Sequence, residues 1–148
     1  MPLTQPVIRP ELGITVKKIL TALPQTGSTT LFNVTGTVKI IQVFALVTTA
    51  MGATATNLRF RATPTGGTAA NMCANAATAN DAVGVMYGIT GTVATAMQKA
   101  TEVLVAQASP QFIRAGIIDI TSDANNTGAL DVWITYVPLS GNAAVTTA

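Results

Sequence analysis

The chain has 148 residues, 49% of them hydrophobic, 5% aromatic and 9% charged, with eight Lys and Arg against six Asp and Glu. An average domain carries roughly 25% charged residues, so this one holds little more than a third of the usual share. With no histidine and a single cysteine, Cys73, the chain cannot build a Ser-His or Cys-His nucleophile, an imidazole metal site, an intramolecular disulfide or a thiolate cluster.

Residues 1–13 read as an extended arm. Pro2, Pro6 and Pro10 recur every fourth residue, each fixing its own φ and pushing the residue before it toward extended backbone. The apolar Leu3, Val7 and Ile8 between them suit a stiff segment lying across a neighbouring subunit, or along its own domain.

From residue 14 to residue 139 the pattern is β. Ile14 to Leu23 is rich in β-branched residues and ends at the turn Pro24-Gln25-Thr26-Gly27-Ser28. Leu31 to Val34 runs into Gly36, and Thr37 to Thr49 follows as a long strand with Val38, Ile40, Val43 and Leu46 inward. Asn57 to Thr63 alternates cleanly, with Leu58, Phe60 and Ala62 on one face and Arg59 and Arg61 on the other. Pro64-Thr65-Gly66-Gly67 makes the next turn. Thr68 to Cys73 reads as a short strand, Ala74 to Ala82 as a loop or single helical turn, and Val83 to Thr90 as a strand. Thr92 to Ala108 has helical composition at its start, and the expectation is a loop or short helix followed by a strand over Thr101 to Gln107.

Phe112 to Thr121 reads as one strand, Ser122 to Gly128 as a turn and Ala129 to Leu139 as the last strand. In that strand Leu130, Val132, Ile134 and Tyr136 alternate with Asp131, Trp133 and Thr135, so Trp133 and Tyr136 take opposite faces, one in the core and one an interface anchor. Residues 140–148 form a small, polar tail expected to extend from the domain. About eight antiparallel strands, with turn signals every 8–12 residues, indicate an all-β domain: a sandwich, jelly roll or barrel.

Little in the chain carries chemistry. Asp81, Glu102, Asp119, Asp123 and Asp131 are the acids available for an acid/base pair, and the lone tryptophan leaves no platform for stacking a sugar. Asp123 to Gly128 resembles the opening of a calcium loop, but Ile134 stands where the bidentate Glu belongs. Cys73 beside Met72 reads as a buried structural thiol. The expectation is therefore a protein that is not an enzyme and uses no cofactor or metal. Its basic residues concentrate only at Lys17-Lys18 and Arg59-Phe60-Arg61, which read as strand faces or interface pairs, and no nucleic-acid stripe is present. The apolar run Val38 to Ala53 contains Lys39 and Gln42 and falls short of the roughly 20 residues a membrane helix needs, so no membrane partner is expected. The first residues show no export signal, which predicts synthesis in a cytoplasm.

Mean hydropathy of +0.47 then becomes informative. A monomer of this mass exposes roughly 7,000 Å², so fourteen charges come to about one per 500 Å², against one per roughly 200 Å² in an average domain. Two resolutions exist: an obligate assembly that covers much of this surface, or solubilisation by Thr, Asn and Gln.

Several blocks carry a resemblance. These are Thr30-Leu31-Phe32-Asn33-Val34-Thr35-Gly36-Thr37-Val38-Lys39-Ile40, Tyr87-Gly88-Ile89-Thr90-Gly91, Ala115-Gly116-Ile117-Ile118, Asn126-Thr127-Gly128 and Trp133-Ile134-Thr135-Tyr136-Val137-Pro138-Leu139. In that order, over roughly residues 14–145, the chain resembles the capsid decoration (cement) and virion structural proteins of tailed bacteriophages. The resemblance implies a jelly-roll-like β-sandwich assembled as a homo-oligomer, commonly a trimer. It further implies a major capsid protein as partner and a place on the outer surface of the virion head, with no catalytic residues. Leu3, Val7, Ile8, Arg59, Arg61, Trp133 and Tyr136 are the candidate interface residues. The alternative placement is a tail, neck or fibre component, including a receptor- or glycan-binding module.

Overall fold

The computed structural model describes residues 12–148; the arm residues 1–11, with Leu3, Val7 and Ile8, lie outside the described residues. Two antiparallel sheets enclose the core. The first contains β1 (Ile14–Leu20), β3 (Val38–Thr49), β7 (Met86–Gly88), β8 (Gln98–Ala100), β9 (Gln111–Ile113) and β11 (Ala129–Pro138). The second contains β2 (Gly27–Thr35), β4 (Asn57–Pro64), β5 (Ala70–Asn71), β6 (Ala76–Ala77), β10 (Gly116–Ser122) and β12 (Ala144–Thr147).

The order in the first sheet is β1-β11-β3-β7-β8, with β9 against the other end of β3; in the second it is β12-β2-β10-β4-β5, with β6 also against β4. The strands β1, β2, β3 and β4 alternate between the sheets. On the way back β10 inserts between β2 and β4, and β11 between β1 and β3. That double insertion is the two-Greek-key wrap of a jelly roll, so the domain is an all-β sandwich of the jelly-roll kind.

Period-two burial explains why these segments are strands. On β4 Leu58 and Phe60 point inward, and Phe60 stands directly across from Ile120 of β10. On β11 the inward set is Leu130, Val132, Ile134 and Tyr136. These meet Val38, Ile40, Val43, Ala45 and Val47 of β3 and the Leu31, Phe32 and Ile118 side chains of the other sheet in one continuous cluster. Each large apolar side chain fully buried in this way stabilises the fold by about 1.5–3 kcal/mol.

Several expectations need correction. On β3 the inward residues are Ala45 and Val47, not Leu46, because the pairing with β11 slips by one residue at Ile41 and reverses the alternation beyond it. Thr92 to Gln107 contains no helix; the strand there is β8, and Thr101 to Gln107 is irregular. Phe112 to Thr121 is two strands in different sheets. Arg114 and Ala115 carry the chain from β9 to β10, where Gly116 lies so close to β4 that a Cβ would sit 2.1 Å from the Thr63 carbonyl oxygen. Residues 140–148 do not extend from the domain. They fold back as β12, pairing Ala144–Thr147 with Thr35–Phe32 of β2. The return is clamped at Gly36, whose φ of +67° opens a left-handed turn that accepts the Ser140 side chain. Twelve strands rather than eight result among the described residues, the additional ones being two to four residues long.

Candidate interaction surfaces

On the outer face of the first sheet, register places Trp133 between Lys17 of β1 and Phe44 of β3. The Trp133 and Phe44 rings tilt together at 5.2 Å between centroids, and the Lys17 ammonium lies 4.9 Å over the indole. Lys17 also reaches Asp131 at 2.6 Å. Trp133 is therefore the surface member of the predicted pair, half-buried between two neighbours. Tyr136 is in the core at 4% exposure and is not available as an interface residue.

Beside Phe44 the same face forms a groove of about 310 Å³ lined by Gln42, Met86 and the segment Glu102–Ala106. Gln107 holds this segment down: its backbone N–H donates to Gln42 Oε1 at 2.9 Å, and its side-chain amide to the Ser109 carbonyl at 2.8 Å. Within it Val103 is 78% exposed, and Glu102 and Val105 also face solvent.

At the edge where β9 and β5 come together, Phe112 stands 69% exposed between two shallow apolar grooves. One is walled by Ala62, Pro64 and Ala70, the other by Met72 and Val93. Gln111 ties the edge together by donating to the Met72 and Gly91 carbonyls at 2.7 and 3.1 Å. Sequence reasoning missed Phe112, which it assigned to the start of a continuous strand; an aromatic side chain two residues before the sheet-switching Arg114 was the available signal.

On the outer face of the second sheet, Arg59 and Arg61 lie side by side, across from Thr121 and Asp119 of β10. Arg61 closes a two-pronged pair on Asp119, Nε to Oδ1 at 3.0 Å and Nη2 to Oδ2 at 2.8 Å. Arg59 has no such acid. Its Nε is buried without a hydrogen-bond partner, at a pocket of about 250 Å³ lined by Ser28, Asn57, Asn75, Thr121 and Asp123. Both Asp123 oxygens are engaged by Asn57, through the backbone N–H at 2.7 Å and the side-chain amide at 2.6 Å. Those bonds hold the Asp123 carboxyl below its ordinary pKa, with the Arg59 charge a smaller contributor. The calcium-like loop thus begins with a carboxylate already committed to β4. Among the described residues no group of three His, Cys, Asp or Glu side chains could hold a metal ion.

Two buried groups complete the inventory. Cys73 is fully buried, its sulfur accepting a bond from the Phe60 N–H at 3.5 Å, and burial pushes its thiol pKa up, which disfavours the nucleophilic thiolate. Asp81 is enclosed by Tyr87 and Lys99.

No family model matches the chain, and no curated protein matches it. Among solved structures the chain is similar, at 12% identity and a TM-score of 0.20, to a protein in the structure of infectious bursal disease virus, Gx strain. The match covers 90% of this chain and 33% of that one, so this chain spans about a third of its length. A likeness at that level carries no argument about function.

Proposed function

We propose that this protein is a structural component of a phage virion, a decoration protein that assembles with copies of itself and caps the outer face of the head. The observation that carries the reading is the combination of large exposed apolar side chains with a surface poor in charge. Of fourteen charged residues, six neutralise one another in the pairs Lys17–Asp131, Arg61–Asp119 and Lys99–Asp81. Phe112, Val103, Val105, Val83 and Ile19 meanwhile stand more than half exposed. Sandwich edges and faces of this kind invite pairing with other chains unless charge protects them. The phage-like sequence blocks and the jelly-roll wrap agree with the reading, although the fold by itself hosts many functions.

The mechanism is mass action. A cap that binds the assembled shell and not its separated subunits shifts the equilibrium toward the closed shell. Attachment through several copies at once multiplies weak contacts by orders of magnitude. The test is co-sedimentation of purified protein with phage heads stripped of their surface proteins. Saturable binding at hundreds of copies per head, with greater resistance of the head to heat or chelation, is the expected result. Binding at a dozen copies or fewer would move the protein to the tail or neck, and no binding would refute a virion surface role.

A further inference from the structure

We infer that the Arg59 pocket is the receptor for Glu102 of a second copy of this chain. The inference rests on the self-assembly part of the proposed function and names the contact that closes the assembly. It begins from what remains when the internal pairs are removed. Among the described residues, Asp81, Asp119 and Asp131 are salt-bridged and Asp123 is bonded to Asn57, which leaves Glu102 as the acid with no partner among them. Glu102 is exposed on an irregular segment pinned by Gln107, between the exposed Thr101 and Val103.

Among the basic residues, Arg59 differs from the others in its surroundings. Its neighbour Arg61 makes a two-pronged pair with Asp119, whereas the cross-strand position beside Arg59 is Thr121. A guanidinium nitrogen buried without an acceptor is costly, and a carboxylate from outside is the group whose geometry matches the planar fork. Ser28, Thr121 and Asn75 line the same pocket and offer further donors. The pocket, of about 250 Å³, has room for an acidic side chain. Asp123 on the wall disfavours a doubly charged phosphate more than a single carboxylate.

The two halves lie on opposite sides of the sandwich. Glu102 lines the groove on the outer face of the first sheet, and Arg59 lies on the outer face of the second. A contact between unlike faces is heterologous: it closes into a ring where the rotation permits and runs on as an open filament where it does not. The same docking would cover Val103 and Val105 with protein.

The experiment is sedimentation velocity on the full chain over a concentration series. The set is wild type, Arg59→Glu, Glu102→Arg, the double variant and Lys39→Glu as a control for net charge. Expected are an associating wild type and control, at least a tenfold weaker association in each single charge reversal, and recovery in the double variant. Circular dichroism reports folding, and Arg59→Gln with Glu102→Gln replaces the reversals if either misfolds; each should then weaken association and lessen its salt dependence. Wild-type association that neither variant disturbs, or single losses that the double variant does not repair, overturns the pairing and leaves self-assembly standing. A wild type that never associates overturns both.

Discussion

The phenol of Tyr87 donates a 2.5 Å hydrogen bond to Oδ2 of Asp81, whose other oxygen takes a 2.6 Å bond from the Lys99 ammonium. Lys99 also donates to the Ala77 carbonyl at 2.9 Å, so one carboxylate joins β7, β8 and the chain around β6. This polar lock holds the far edge of the sandwich where the strands are only two or three residues long. Tyr87→Phe removes one bond and should lower stability by about 1 kcal/mol. Asp81→Ala leaves the buried phenol without its acceptor and should lower it by about 2–3 kcal/mol. Urea unfolding followed by circular dichroism checks both.

The same lock has a pH signature. Burial, and then the bond to Asp81, pushes the Tyr87 phenol well above its ordinary pKa of 10.0. A pKa raised by folding means stability that is complete below the unfolded value and declines as pH rises above it. Wild type should therefore lose stability progressively above pH 10, and Tyr87→Phe should lose less over the same interval. Equal alkaline slopes in the two proteins would contradict the assignment.

Arg61 covers an acid that is 3% exposed. Arg61→Ala abandons Asp119 uncompensated in the sheet and should destabilise by about 3 kcal/mol. Arg61→Lys should recover only part of that loss, because a point charge cannot reproduce the two-pronged contact. The double variant Arg61→Met, Asp119→Leu should be more stable than Arg61→Ala, measured by thermal unfolding.

Two phenylalanines give opposite predictions. Phe60→Ala empties a fully buried site facing Ile120 and should destabilise the monomer by about 3–5 kcal/mol. Phe112→Ala acts on a ring that is 69% exposed and should change monomer stability by no more than about 0.5 kcal/mol. Its effect should appear instead in binding to heads or in self-association, read by co-sedimentation against wild type.

The long strands were legible because their inner residues repeat every second position: Leu58 and Phe60 on β4, and Leu130 to Tyr136 on β11. What stayed hidden depended on backbone pairing that side-chain pattern does not encode. The one-residue slip at Ile41 reversed β3 beyond Gln42 and moved Leu46 outward. The switch of sheets at Arg114-Ala115 falls between the apolar pairs Phe112-Ile113 and Ile117-Ile118, a pattern that one continuous strand with an outward Arg114 carries equally well. β12 is built from small residues and is held by its ladder to Phe32–Thr35, which gives it the composition of a tail. At the candidate surfaces, alternation placed Arg59 and Arg61 on one face, and Asp131 beside Trp133 could have shown that face of β11 to be the outer one. Phe112 escaped because its exposure follows from the sheet switch.

A charge-poor surface with large exposed apolar side chains favours assembly over a solitary chain, and the mass of the particle in solution tests this most directly. Sedimentation equilibrium should give a species that is a whole-number multiple of 15.1 kDa and dissociates only on dilution. A single 15.1 kDa species that stays soluble and unassociated at every concentration would contradict it.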